Sequence, residues 1–176
     1  MNVLIGITGG IAAYKSAELV RLLKKENMDV KVIMTDHAEC FIRPLTLAVL
    51  SENNVYTRLF SKDKENEEIR HIFLSQWADI MIIAPATANI IAKIAHGIAD
   101  DLLTSSVLAF TEKIFIVPAM NSHMLFNPIV QKNINILKEY GFYLIKSEKG
   151  SLACGDIGDG RMAEPRNILK IVQEIL

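Results

Sequence analysis

Cysteine is scarce in this chain. Cys40 and Cys154 are the two in 176 residues, without C-x-x-C spacing, too few for a disulfide framework. With four scattered histidines, no structural zinc cluster is expected either. A dominant charge sign is also missing. Nineteen basic residues face 20 acidic ones and the signs are mixed, so the sequence carries no polybasic nucleic-acid footprint. Long hydrophobic runs are absent. The longest, such as Ile80 to Ala84, are far too short to span a bilayer. The opening MNVLIGITGG has no positive leader region, which predicts no signal peptide and a cytoplasmic chain with reduced thiols. No internal repeat, linker or low-complexity tract interrupts 1–176, which is expected to form one domain.

Apolar residues are plentiful, at 51%, the upper edge of the soluble range. That excess hints at surface buried by partner subunits. Asn2 to Thr8 is a near-continuous apolar run ending at Gly9-Gly10, the pattern of a strand buried on both faces. Ile11 to Asn27 has helical spacing, with Ala12, Leu19, Leu22 and Leu23 expected inward and Lys15, Glu18, Arg21, Lys24 and Lys25 outward. Further strands are expected at Val30 to Met34, Asp79 to Pro85, Lys113 to Pro118 and Phe142 to Ile145. Helices are expected at Arg43 to Ser51, Ala88 to Ala95, Asp100 to Phe110, Asn127 to Tyr140 and Arg166 to Leu176. The charged run Ser61 to Glu68 reads as a solvated loop or exposed helix edge, and Glu148 to Pro165 as a Gly-rich functional loop and candidate lid.

Alternating strands and helices predict an α/β, three-layer, doubly wound parallel sheet. Ligands of such sheets bind beyond the carboxyl ends of the strands. Four clusters fall there: Thr8-Gly9-Gly10, Thr35, Pro85 to Asn89, and Pro118 to Asn121. Glycines after the first strand let backbone approach an anion at a helix N-terminus, or simply make a tight turn. The segment is neither a Walker A loop nor G-x-G-x-x-G. Small residues at 85–89 leave room for a flat ring or phosphate, although Thr87 also suits a helix cap. Asn121 offers donor and acceptor to a carboxylate, or caps the next helix. Met120 and Met124 could pack on an aromatic ring or fill the core. His71 is a natural base near neutral pH, but a lone histidine is more often structural, and His37, His96 and His123 carry the same ambiguity. Cys154 in its polar loop is better placed for chemistry than Cys40, which reads as small apolar filler.

Together these segments resemble the flavin-containing cysteine decarboxylases. Gly9-Gly10-Ile11-Ala12-Ala13-Tyr14-Lys15 is similar to that family's opening segment. Pro85-Ala86-Thr87-Ala88-Asn89 resembles its flavin-binding PASANT stretch, and Pro118 to Met124 its PxMNxxM motif. His71 in Arg70-His71-Ile72 stands where the family places its active-site histidine. Ala153 to Pro165 (ACGDIGDGRMAEP) resembles the substrate clamp of phosphopantothenoylcysteine decarboxylases. The resemblance spans essentially the whole chain. Leu125 replaces the usual Trp, and Thr87 a frequent Ser whose hydroxyl it keeps.

The resemblance implies a flavodoxin-like core, bound FMN and no metal. It also implies a trimer, or a dodecamer of trimers, with the active site between subunits. The implied reaction is decarboxylation of 4'-phosphopantothenoylcysteine to 4'-phosphopantetheine in coenzyme A synthesis. The ligase step would lie in another protein. By the same resemblance, His71, Asn121 and Cys154 are catalytic. Gly9, Gly10, Thr35, Phe41, Thr87, Asn89, Thr104 and Met120 are flavin contacts. Asn121, Met124, Ala153, Gly155, Arg161 and Met162 are substrate contacts. Alternatives are a peptidyl-cysteine decarboxylase of peptide-antibiotic maturation and a non-catalytic regulatory relative. A flavin prenyltransferase or an electron-transfer flavodoxin fits less well.

Overall fold

Strand β1 (Asn2–Ile7) is apolar on both sides because both of its faces are covered. Val3, Ile5 and Ile7 join one core cluster, and Leu4 joins the other. The computed structural model describes residues 1–60, 69–151 and 157–176. Helix α1 (Ala13–Lys25) returns the chain to β2 (Asp29–Met34), a 3-10 turn follows at Asp36–Cys40, and α2 (Pro44–Ser51) leads to β3 (Val55–Tyr56). The second half runs α3 (Arg70–Trp77), β4 (Ile80–Ala86), α4 (Ala88–Ala95), α5 (Leu102–Ala109), β5 (Lys113–Pro118), α6 (Ser122–Leu125), α7 (Pro128–Glu139) and β6 (Tyr143–Leu144). A hairpin of β7 (Glu148–Ser151) and β8 (Ile157–Arg161) precedes the closing helix α8 (Pro165–Ile175).

The six strands pair in the order β3-β2-β1-β4-β5-β6, every pair parallel. Without the two-residue β3, the remaining five follow the flavodoxin order. Leu19 and Leu23 of α1 and Ile168 and Val172 of α8 pack on the face shown by Val3, Ile5 and Val32. Ile90 and Ile91 of α4, Leu103 and Val107 of α5, and Ile134 and Leu137 of α7 cover the opposite face with Leu4, Met81 and Ile83. Each such side chain contributes about 1.5–3 kcal/mol of burial. The expected three-layer α/β architecture is therefore present. The chain order reverses between β1 and β4, opening a crevice at their carboxyl ends.

Five local expectations need correction. Val55–Tyr56 adds an edge strand too short for any pattern to announce. Arg70–Trp77 is a helix, although the charged run before it hides its start. The stretch read as a loop after Glu148 contains an antiparallel hairpin, because backbone pairing there needs no hydrophobic alternation. Cys40 is exposed, not filler. Lys15 is 7% exposed and faces inward, since it stands four and eight residues before Leu19 and Leu23 on the buried stripe. Leu125, in place of the family's Trp, is buried with Ile134 and Leu137. Among the described residues no helix is long and apolar enough to cross a membrane.

Candidate active site

The ends of β1 and β4 are tied together by one hydroxyl. Thr8 is buried; its Oγ1 donates to the Pro85 carbonyl at 2.6 Å and accepts from the Thr87 amide at 3.2 Å. Ser16 Oγ donates to the Ala84 carbonyl at 2.7 Å, pinning the first turns of α1 to the same strand. The Ala84–Pro85 peptide is cis. A Cβ on Gly9 would lie 2.3 Å from His37 Cβ, so only glycine lets the 3-10 turn after β2 pack behind this loop. A Cβ on Gly10 would meet nothing nearer than Thr87 Cγ2 at 3.7 Å. Gly10 instead borders open space.

That space is a cavity of about 550 Å³. Gly9 to Ala12, Tyr14 and Lys15 form one side, Thr87 and Ala88 the next, Ala119 to Asn121 and Met124 a third, and Gly160 to Met162 the fourth. The N-terminal ends of α1 and α4 both border it, so two helix dipoles present their positive ends to a ligand. Thr87 Oγ1 caps α4 by accepting from the Ile90 amide at 3.3 Å. Asn121 Oδ1 caps α6 by accepting from the His123 amide at 2.8 Å. Both capping alternatives are therefore real, and both capping residues still face the cavity.

The hairpin reaches the cavity through a close backbone contact. The Met120 amide donates to the Gly160 carbonyl at 2.9 Å, and Ser122 Oγ donates to the Asp159 carbonyl. Gly160 has φ +117°, and a Cβ there would stand 2.2 Å from the Met120 oxygen. Behind Arg161 lies Glu164, whose carboxylate accepts from Lys15 Nζ at 2.9 Å and from the Arg161 guanidinium. The Lys15 hydrogen bond, opposed by partial burial and aided by the charges of Lys15 and Arg161, holds the Glu164 carboxyl below its ordinary range.

Eight of the expected site residues line this one cavity: Gly9, Gly10, Thr87, Met120, Asn121, Met124, Arg161 and Met162. Five others do not. Thr35 donates its amide to the Ile7 carbonyl at the end of the neighbouring strand, beside the cavity and not on its wall. Phe41 closes the 3-10 turn, 47% exposed. Asn89 lies in the first turn of α4, past the wall residues. Thr104 is buried, its hydroxyl and amide engaged by Asp101 in the capping box of α5. His71 lies at the start of α3, with its carbonyl accepting from Ser75 Oγ at 2.5 Å. Cys154, Ala153 and Gly155 lie outside the described residues. Lys15 and its partner Glu164 were not anticipated, although the buried-stripe spacing of Lys15 signalled the first.

Comparison with known proteins gives the family and the fold. The Flavoprotein family model matches residues 1–176, and the chain belongs to that family. The Coenzyme A biosynthesis bifunctional protein CoaBC of Bacillus subtilis is 47% identical over 173 residues, which cover 98% of this chain and 42% of that protein. The chain thus spans less than half the length of that bifunctional relative. A probable phosphopantothenoylcysteine decarboxylase of Streptococcus mutans is 44% identical over 177 residues, covering 99% of this chain and 98% of that one. Among solved structures, a cysteine-to-serine variant of PPC decarboxylase complexed with pantothenoylaminoethenethiol superposes with a TM-score of 0.90. It shares 36% identity, over 99% of this chain and 97% of that one. The FMN-binding protein AtHal3 gives a TM-score of 0.86 at 36% identity, over 99% and 95% of the two chains.

Proposed function

We propose that this flavoprotein binds FMN and decarboxylates 4'-phosphopantothenoylcysteine to 4'-phosphopantetheine. The observation that carries the proposal is the convergence of the opening glycines, Thr87, the Met120-Asn121 pair and Arg161 on one cavity at the β1–β4 crevice. The relatives supply the substrate class: one is a probable phosphopantothenoylcysteine decarboxylase, and the PPC decarboxylase variant holds a pantothenoyl enethiol.

The cavity suits FMN. Its walls are largely apolar and small, as at Ala12, Ala88 and Ala119, with room for a ring at Gly10. Two helix N-termini and two cations favour an anionic ligand. When bound, FMN supplies the electron sink that loss of CO2 from a cysteine carboxylate requires and that side chains lack. In this reading Gly9, Gly10, Thr87 and Met120 hold the cofactor, while Thr35, Phe41, Asn89 on α4 and Thr104 on α5 stand off the cavity wall. Asn121 orients the substrate carboxylate with its amide, beside Met124, Arg161 and Met162. Ala153 and Gly155 complete the substrate clamp.

His71 is the base, acting on the cavity of a neighbouring copy in a trimer or trimer-built dodecamer. Exposed Ile69 and Ile72 flank it, and exposed Ile11, Tyr14 and Met124 rim the cavity, leaving apolar surface on both sides of such a contact. Cys154 returns a proton in the last step, which distinguishes this reading from a peptidyl-cysteine decarboxylase that stops at the enethiol. The enzyme acts in the cytoplasm.

The test is a visible spectrum of the purified protein and an assay of CO2 release from 4'-phosphopantothenoylcysteine. A yellow protein that releases CO2 is expected, with His71→Asn retaining the colour and losing about 10²–10⁴-fold in rate. A colourless protein that takes up no FMN would refute the proposal.

A further inference from the structure

The clamp-like segment ends in an ion cluster that joins it to the opening segment. Glu164 bridges two cations from opposite ends of the chain, Lys15 on α1 at 2.9 Å and Arg161 at the end of β8. Both cations border the cavity. Lys15 Nζ also approaches the Met162 carbonyl at 3.5 Å, so the lysine ties α1 to the strand that carries Arg161. The guanidinium is confined on its other side as well. A Cβ at Gly150 would lie 3.0 Å from Arg161 Cδ and from a terminal guanidinium nitrogen, so the facing strand of the hairpin packs closely against the arginine. Glu164 is itself held, since its amide donates to Glu148 Oε1 at 3.1 Å, and that oxygen also accepts from Asn167 Nδ2 at 2.7 Å.

We propose that Glu164 is a positioning residue that fixes Arg161 on the cavity wall to receive an anionic group of the substrate. The fork of an arginine carries five donors, and one carboxylate occupies only part of it. A carboxylate behind the guanidinium sets its orientation while the remaining N–H groups stay available to a second anion. Lys15 shares the Glu164 carboxylate, so that carboxylate is not spent on the guanidinium alone. Lysine in place of Arg161 would lose the planar fork and gain nothing from Glu164's placement.

This inference rests on the decarboxylase reading, and its test separates the two. FMN-loaded wild type, Glu164→Gln, Glu164→Asp, Arg161→Met and the Glu164→Gln/Arg161→Met double variant are compared for CO2 release from 4'-phosphopantothenoylcysteine. Glu164→Gln is expected to raise KM about ten-fold, with kcat and the flavin absorbance little changed, and Glu164→Asp to recover most of that loss. The double variant is expected to match Arg161→Met alone, because Glu164 acts through Arg161. Multiplying effects in the double variant, or an unchanged KM in Glu164→Gln, would overturn the inference while leaving the decarboxylase intact. If the wild type releases no CO2, the decarboxylase reading fails, and the Kd for the same compound by calorimetry takes the place of KM in the cycle. A wild type that neither turns over nor binds the compound overturns both.

Discussion

Thr8, behind one wall of the cavity, and Gly160, on another, are held there by different physics. Thr8 ends a strand buried on both faces, and its hydroxyl is satisfied by two backbone groups of the next loop. The wall it supports is an extension of the core. Gly160 belongs to a two-stranded hairpin outside the main sheet, seated by one backbone pairing to Met120, the Ser122–Asp159 contact and the Glu164 ion cluster. Segments held in this way open at lower free energy than core strands do. The difference fits the proposed division of the cavity into a cofactor wall and a substrate wall.

The comparison can be broken at its weaker side first. Gly160→Ala places a Cβ against the Met120 carbonyl at a φ that L residues rarely adopt. Misplacing the hairpin wall should lower CO2 release by about 10²-fold while the protein keeps its colour. Steady-state assay and absorbance together check this, and loss of flavin would mean that the two walls are not independent. Thr8→Val probes the stronger side. It leaves the Pro85 carbonyl and the Thr87 amide without their partner, at about 1–3 kcal/mol, read as a lower denaturation midpoint. Unlike Gly160→Ala, it should also weaken flavin retention.

Gly10→Ala sharpens the contrast, because a Cβ there would meet only Thr87 Cγ2, at an ordinary contact distance of 3.7 Å. Stability should change by less than about 1 kcal/mol while FMN affinity falls, measured by titration of the apoprotein. The smallest effect concerns pH. The lowered Glu164 carboxyl contributes stability that is present above the ordinary carboxylate range and lost as pH falls through its depressed folded-state pKa. With its side chain 41% exposed, screening limits this to below about 1 kcal/mol, and Glu164→Gln should lack that acid limb in a pH series of thermal melts.

Much of the molecule is legible in the sequence. Asn2 to Thr8 and Ile80 to Ala84 announce buried parallel strands because both faces of such strands must be apolar. The placement of Gly9, Thr87 and Asn121 after successive strands follows from the topology itself. The hairpin was not legible, since EKGS and IGDGR pair through backbone and show no alternation. Nor was Thr104's engagement in its own helix cap, because a hydroxyl three residues after an aspartate suits either a cap or a ligand.

Local sequence determined the strands, the helices and the order in which their loops arrive at one edge, because side-chain periodicity is a property of neighbours along the chain. The inward turn of Lys15 follows from its spacing, but tertiary structure alone decided that it would share the carboxylate of Glu164, 149 residues away, with Arg161. Such a contact depends on where α1 meets the start of α8 in space, and periodicity within either segment carries no information about that meeting.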